Sequence, residues 1–332
     1  MSPAARTRLK AWLSIAARYA FGAFLIYWLI HTEVLAIGPL RKISGALIVQ
    51  GVLLGLSITA ISTVRMRMLL RDQSVEVSYR RCFVYICIGL FYSLFLPGGV
   101  SGDAAKAFYF FRDAPGKKIA VLGAIMLDRF LGLITLLALG LLSGLFLVSV
   151  LTVVIPYLLG FGLLLLILVA GLVLVLRYEI THQQTADAHW PLRMWEKVKG
   201  VVARLHLKEY STRTLVNSML LSALMNALTI VLIWLCSELN KSGVTFTEVA
   251  AVSPLGLLSN AVPLSPGGLG VGEKTFDILY KAVGGENGAG SFLAARIFLY
   301  CPSLIGGVFA AWFMFKLHHG PTVTRDSAAR HS

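Results

Sequence analysis

The chain has 332 residues, of which 57% are hydrophobic and 14% are charged, and its mean hydropathy is +0.77. A composition this apolar excludes an ordinary soluble domain and predicts an all-α polytopic membrane protein. The formal net charge of +14 does not indicate a nucleic-acid partner, because the lysines and arginines fall in the connections between apolar segments. Basic connections of this kind are typical of cytoplasmic loops.

The first apolar segment, 11–30, follows several basic residues, which predicts that residues 1–10 form a cytoplasmic N-terminus. The segment has membrane-spanning length and no clear small-residue cleavage site, so we interpret it as a retained helix and not as a signal peptide. A second span, 45–64, returns to the cytoplasm and ends in a strongly basic connection that starts at Arg65.

The next apolar stretch, 82–96, is too short for a crossing of about 20 residues and runs directly into a Pro-Gly-Gly motif. Pro97 lacks a backbone N–H, and Gly98 and Gly99 lower helix propensity, so a helix breaks here. The segment that follows, 103–118, is basic, as expected on the cytoplasmic side. The pattern therefore predicts a re-entrant helical hairpin that enters from the cytoplasm and returns to it.

A long helix at 119–150 and a returning span at 156–176 come next, and both are strongly apolar. The basic connection 177–213 is predicted to be a cytoplasmic loop. The amphipathic stretch within it, which starts at Trp190, fits either a helix on the membrane surface or a solvated linker helix.

The second Pro-Gly-Gly motif lies between 248–262 and 269–283, after a span at 215–237. We expect a second re-entrant hairpin here, entering from outside and broken at Pro266. The predicted last span is 291–315, followed by a basic tail at 316–332. This order gives six full crossings and two hairpins, with both termini cytoplasmic, in a plasma membrane of the bacterial inner-membrane type.

The two motifs indicate that the chain contains an internal repeat. The sequence offset that carries Pro97 onto Pro266 also carries the second span and the long helix onto later spans. Each half then has two crossings, one hairpin and one crossing, and the halves face opposite ways, which is the plan of many secondary transporters. The predicted repeats are 11–150 and 151–315.

Each half also carries charged residues close to its motif. A new helix begins after each Pro-Gly-Gly, and its free N–H groups and dipole favour an anion. Embedded arginines add a fork that suits phosphate. The predicted phosphate ligands are Gly98, Gly99, Lys106, Arg129, Gly267, Gly268, Lys274 and Arg296, and Asp103, Asp128 and Glu273 are assigned to coupling or charge balance.

Structural pairing is an alternative role for the acids. Asp103 and Lys106 have helical i,i+3 spacing, and Asp128 would pair with a basic side chain of another helix. No metal site, disulfide or cofactor is expected, because the four cysteines have no CxxC spacing. No catalytic residue is assigned either, because no histidine or Ser-His arrangement accompanies the acids.

At these residues the chain resembles the flippase-like, lysylphosphatidylglycerol-synthase transmembrane-region family. The resemblance rests on LPGGVSGDAAKAFYFFR at 96–112, LDR at 127–129 and SPGGLGVGE at 265–273, and it covers most of 10–315. In two-domain members the membrane region is thought to move an aminoacylated phospholipid between leaflets, while a cytosolic domain attaches the amino acid. Because only a short tail follows the last span, the resemblance implies the flippase-like part without synthase activity.

Three function classes follow. We expect an integral membrane lipid translocator whose partners are lipids with anionic headgroups, either phospholipids or polyprenyl-phosphate-type lipids. The alternatives are an intramembrane enzyme for lipid-linked group transfer, with an acid as base, and an accessory subunit associated with lipid- or glycan-modifying enzymes. The sequence does not give the oligomeric state.

Overall fold

The computed structural model describes residues 44–95, 101–145, 155–177, 210–259 and 271–319. Within these ranges every regular element is an α-helix. The helices are α1 (Gly45–Asp72), α2 (Tyr79–Phe95), α3 (Ser101–Asp113), α4 (Lys118–Leu145), α5 (Ile155–Arg177), α6 (Thr212–Leu239), α7 (Phe246–Ser259), α8 (Val271–Ala282) and α9 (Gly288–His319). The predicted first span, both Pro-Gly-Gly motifs and the loop with Trp190 lie outside the described residues.

Four of the described helices, α1, α4, α6 and α9, are long and apolar enough to cross a membrane. The apolar helix α5 has 23 residues. The remaining helices are shorter: α2, α3, α7 and α8 have 17, 13, 14 and 12 residues. The expectation of an all-α membrane protein is confirmed.

The end of α1 differs from the prediction. The second span was expected to end at 64, with Arg65 opening a basic connection, but α1 continues to Asp72. Arg65 is buried inside the helix bundle instead of lying in a loop. A charged side chain is tolerated there because it has an acidic partner in another helix, which the functional site below includes.

The helices α1 and α6 begin in the same way. Ser44 is the N-cap of α1 and its side chain accepts a hydrogen bond from the N–H of Leu47. Ser211 caps α6 and accepts from the N–H of Thr214. Each serine satisfies one of the N–H groups that a helix start leaves without an intrahelical partner.

Two hydrophobic cores hold the bundle together. The first is built mainly from α1, α2, α3 and α4, and Phe110 is fully buried in it. The second is built from α6, α7, α8 and α9, where Phe276 stacks on Phe292 with ring centroids 4.1 Å apart. Each group of four consecutive helices therefore has its own core.

The helices of the two groups also pack against one another. Within the groups, α1 packs on α2, α2 on α3 and α3 on α4, while α6 packs on α7, α7 on α8 and α8 on α9. Helix α1 also packs on α4, and α6 on α9. Between the groups, α9 packs on α1 and α2, α4 packs on α6 and α7, and α1 packs on α6. Among the described helices, α5 makes its extensive contacts with α4 only.

Proline interrupts the hydrogen bonding of α9. Pro302 lies inside this helix, and because proline has no N–H, the carbonyl of Phe298 loses its usual intrahelical donor. That carbonyl faces α1 at Gly55, where an added Cβ would overlap it. The absence of a side chain at Gly55 thus allows α1 and α9 to approach closely.

Candidate functional site

The first charged cluster joins α3 to α4. Asp103 lies in the first turn of α3 and accepts from Arg129 Nε on α4 at 2.7 Å. The Nζ of Lys106, one turn further along α3, lies 2.8 Å from the other carboxylate oxygen of Asp103. The Asp103–Lys106 pairing expected from i,i+3 spacing is therefore present, and Asp103 holds two cations at once.

The electrostatics of Asp103 follow from this arrangement. Asp103 lies on α3, a short helix that is not one of the four described candidate membrane spans. Burial acts to raise the pKa of the Asp103 carboxyl, but Lys106 and then Arg129 outweigh it and hold that pKa below its ordinary value. The two cations therefore favour the ionised form of the carboxylate, and this carboxylate balances their charge.

The second charged cluster joins α8 to α9. Glu273 lies in the first turn of α8, and Arg296 Nε on α9 lies 3.2 Å from one of its carboxylate oxygens. Both side chains are nearly inaccessible, at 4% and 5% exposure. The guanidinium of Arg296 also sits 4.8 Å from the ring centre of Phe292, which is the distance of a cation–π contact.

The two clusters differ in exposure and in their lysines. The side chain of Arg129 is 57% exposed, while that of Arg296 is buried. Lys106 is part of the first cluster, but Lys274 is exposed on α8 and is not brought to Glu273. The predicted ligands Gly98, Gly99, Gly267 and Gly268 lie outside the described residues.

A cavity of about 250 Å³ lies between α1, α2, α6, α7 and α9. Arg296 and Tyr300 contribute its charged and phenolic groups, and Thr59 and Ser62 contribute hydroxyls from α1. Arg296 therefore connects the second charged cluster with a cavity between the two groups of helices.

A third charged pair lies at the contact of α1, α4 and α6. Arg65 Nε donates to Asp128 Oδ1 at 2.7 Å, and both residues are buried. Arg65 also donates to the hydroxyl of Ser222 on α6. The partner that Asp128 was expected to find in another helix is Arg65, which sequence reasoning had placed in a loop.

The arrangement has the chemistry to bind an anion. The described residues contain no cluster of three or more histidine, cysteine or acidic side chains that would hold a metal ion. The cavity offers a guanidinium, a phenol and two hydroxyls, all of which donate hydrogen bonds. Such a donor set suits the oxygens of a phosphate.

A comparison with protein families finds a match that covers most of the chain. A family model described as the lysylphosphatidylglycerol synthase TM region matches residues 15–307. No curated protein matches the chain, and neither does any solved structure. The family match and the apolar helices together establish a membrane protein related to lipid modification or flipping.

Proposed function

The chain belongs to the lysylphosphatidylglycerol synthase TM region family, and on this premise we propose that it moves an anionic lipid between the leaflets of a bacterial inner membrane. The substrate class is a phospholipid or a polyprenyl-phosphate-type lipid. The observation that carries the proposal is the buried Glu273–Arg296 pair, whose arginine lines the cavity between the groups of helices. A second acid–arginine contact, Asp103–Arg129, joins α3 to α4.

The spacing of the helices supports an internal repeat. Helices α1 and α6 begin at positions 45 and 212, and α2 and α7 begin at 79 and 246, so one sequence offset carries both earlier helices onto the later ones. Helices α3 and α8 begin at 101 and 271, and α4 and α9 begin at 118 and 288, so these two pairs also share one offset. The second offset carries Asp103 onto Glu273, so the two acids occupy equivalent positions.

The packing of the helices supports a two-fold relation between the halves. When α1 is exchanged with α6, α2 with α7, α3 with α8 and α4 with α9, every extensive helix contact becomes another one, except that of α5 with α4. Applying this exchange of helices twice returns every helix to its original position, as rotation about a two-fold axis does. An axis of this kind in the membrane plane is the arrangement of inverted-repeat transporters.

The proposed topology follows from this symmetry and from the loop charges. Six segments cross the membrane, both termini are cytoplasmic, and the helix pairs α2–α3 and α7–α8 are re-entrant hairpins broken at Pro-Gly-Gly. Helices α2 and α7 end at Phe95 and Ser259, and the returning arms α3 and α8 begin at Ser101 and Val271. The glycines of each motif then complete the anion site at the start of the returning arm.

The acid–arginine contacts support exchange of one anion for another. The carboxylates of Asp103 and Glu273 neutralise Arg129 and Arg296, which keeps the charges of these side chains compensated. A lipid phosphate presents more acceptor oxygens and can replace a carboxylate on the guanidinium fork. We therefore assign the acids to charge balance and the arginines to the phosphate. Association with lipid- or glycan-modifying enzymes is part of the proposal as a way to supply or consume the lipid.

The experiment is reconstitution into liposomes with a headgroup-labelled anionic lipid, whose exposure is followed with an impermeant quencher. We expect protein-dependent movement of phosphatidylglycerol or a polyprenyl phosphate and none of a zwitterionic lipid. A control variant is Lys281→Gln, since this side chain forms an exposed pair with Asp277 at the far end of α8. If folded protein moves none of a broad panel of anionic lipids, the translocator proposal fails and the enzyme and subunit alternatives take its place.

A further inference from the structure

We propose that the protein forms a second anion cavity, related to the present one by exchange of the two halves and lined by Arg129, Asn226, Thr229 and Ser253. The inference rests on the proposed translocation, since it supplies the site from which the lipid headgroup leaves. It assigns residues on α6 and α7 that the site described above does not include.

The position of the present cavity supports this proposal. The offset that carries α1 onto α6 and α2 onto α7 carries Ile58 onto Met225 and Leu90 onto Leu257, and all four residues line the cavity. The cavity therefore lies on the exchange axis.

Other lining residues have counterparts that do not line the present cavity. By the same offset, Thr59 corresponds to Asn226, Ser62 to Thr229 and Ile86 to Ser253. By the offset between α4 and α9, Leu299 corresponds to Arg129. Exchange of the halves would bring these counterparts to the cavity wall. It would also bring Leu122, Met126 and Phe130, the counterparts of Phe292, Arg296 and Tyr300, so the polar part of the second cavity consists of Arg129, Asn226, Thr229 and Ser253.

Ser253 provides an independent observation. Its side chain is fully buried, and its hydroxyl has no hydrogen-bond partner within the described part of the chain. A buried hydroxyl without a partner is unfavourable. The counterpart of Ser253 in the other half, Ile86, faces the present cavity, so the exchanged state would place the Ser253 hydroxyl against a bound anion.

The two other polar residues are held by their own partners in the present state. Asn226 Nδ2 donates to the hydroxyl of Thr135 on α4 at 3.2 Å. The hydroxyl of Thr229 donates to the carbonyl of Met225 one turn earlier at 2.9 Å. Both contacts are neutral hydrogen bonds, which cost little to exchange for bonds to an anion.

The equivalent positions of the two halves differ in burial. On α9, Phe292 and Arg296 are buried against the rest of the bundle. On α4, the equivalent positions are Leu122 and Met126, and both are exposed, as is the neighbouring Arg129. In the exchanged arrangement, this face of α4 would become the one that packs inside the bundle.

The donor set of the second cavity has the same chemistry as that of the first. A guanidinium, an amide and two hydroxyls bind an anion with several acceptor oxygens, such as a phosphate. A lipid headgroup and free inorganic phosphate share this chemistry, so the test must separate the two sources.

The test is cysteine accessibility in liposomes, in a background where the four native cysteines are replaced by alanine. Ser253→Cys and Thr229→Cys report the second cavity, and Ser62→Cys reports the present one. Ser218→Cys is the matched control, because Ser218 is also a fully buried serine with no hydroxyl partner in the described ranges, and its counterpart Gly51 does not line the cavity. A small charged methanethiosulfonate reagent is added to one side at a time.

We expect Ser253→Cys and Thr229→Cys to react at least about ten times faster than Ser218→Cys, and from the side opposite to that which labels Ser62→Cys. Protection by dioctanoyl phosphatidylglycerol but not by inorganic phosphate identifies a lipid headgroup, and equal protection by both identifies a general phosphate site. If both new cysteines react no faster than Ser218→Cys, the second cavity does not form and the inference is overturned.

The outcome is separable from that of the transport assay. Active transport by the wild-type chain with no labelling at either new cysteine removes the second cavity and leaves the translocator proposal standing. Labelling with the expected sidedness in a protein that moves no lipid removes the translocator proposal and leaves the second cavity. Because Thr229→Cys alters a part-buried side chain, it still gives the answer if Ser253→Cys fails to fold.

Discussion

The acids of the two acid–arginine pairs, Asp103 and Glu273, both lie in the first turn of their helices but have very different surroundings. Glu273 and Arg296 are both buried, and a phenylalanine, Phe276, stands one turn after the acid. Asp103 has a lysine, Lys106, at the equivalent turn, and its arginine is largely exposed. The two acids thus have the same position in their helices, while the neighbouring side chains decide how strongly each acid depends on its partners.

The comparison is tested most strongly by removing each acid. Glu273→Gln leaves Arg296 buried without its carboxylate, so we expect the free energy of unfolding to fall by about 3 kcal/mol. Asp103→Asn should cost less, about 1 kcal/mol, because Arg129 is largely exposed and the amide oxygen of the asparagine can still accept a hydrogen bond. Denaturant titration of the solubilised protein measures both. The control is Glu273→Gln combined with Arg296→Met, which should recover part of the loss, and equal costs for the two single variants would contradict the contrast.

Glycine contacts between α7 and α8, and between α2 and α3, give the next largest effect. A Cβ at Gly256 would overlap the ring of Phe276, so we expect Gly256→Ala to lower stability by about 2 kcal/mol. Phe276→Leu in the same chain should restore much of it by making room. In the first half, a Cβ at Gly89 would lie 2.9 Å from the backbone oxygen of Gly102, where no side-chain truncation can help.

A glycine on α4 serves as the control for these variants. A Cβ at Gly132 would lie 3.6 Å from an Arg65 nitrogen, which is an ordinary contact. Gly132→Ala should therefore leave the thermal unfolding midpoint unchanged or slightly raised. If Gly132→Ala and Gly256→Ala destabilise equally, helix flexibility and not the Phe276 contact is responsible.

Transport separates the two arginines by function. Arg296→Lys keeps the charge but loses the planar fork, so we expect the translocation rate to fall about 10-fold. Arg129→Lys should reduce it less, by about 3-fold, because the exposed side chain is not held in one geometry. Initial rates in liposomes with a headgroup-labelled lipid measure the difference. Wild-type rates in the double Arg→Lys variant would exclude both arginines from phosphate binding.

The smallest effect concerns the lysine found only in the first cluster. Lys106→Met removes one of the two cations of Asp103, but Arg129 still pairs with the carboxylate. We expect a loss of about 0.5 kcal/mol in the free energy of unfolding, because the methionine packs in place of the buried lysine stem and Arg129 still compensates the carboxylate. A loss as large as that for Glu273→Gln would mean that Arg129 alone does not compensate the Asp103 carboxylate.

Sequence reasoning located the helices because hydropathy and proline positions act locally. It also identified the Asp103–Lys106 pair, since i,i+3 spacing on a helix is fixed by geometry. It placed Arg65 in a loop because a span is usually ended at its first charge. What makes a buried arginine possible is Asp128, which lies far along the chain on α4, and no local pattern reports such a contact.

The environments of the charged residues were equally hidden. Lys274 directly follows Glu273, but consecutive residues on a helix point about 100° apart, and only Glu273 faces α9. The sequence treats Arg129 and Arg296 alike, because each follows a Pro-Gly-Gly motif by a similar distance. Their different burial depends on how α4 and α9 pack against other helices, which is a tertiary property.

The proline in α9 makes this helix easiest to bend at a point close to the cavity. Pro302 leaves the carbonyl of Phe298 without its usual donor, so bending at this level breaks one fewer hydrogen bond than bending elsewhere. The stiff arm on the N-terminal side of this joint carries Arg296, and the arm on the other side carries Gly306, which lies against the backbone of Cys87 on α2. A small rotation about the joint would swing the guanidinium relative to the cavity while the far arm stays anchored.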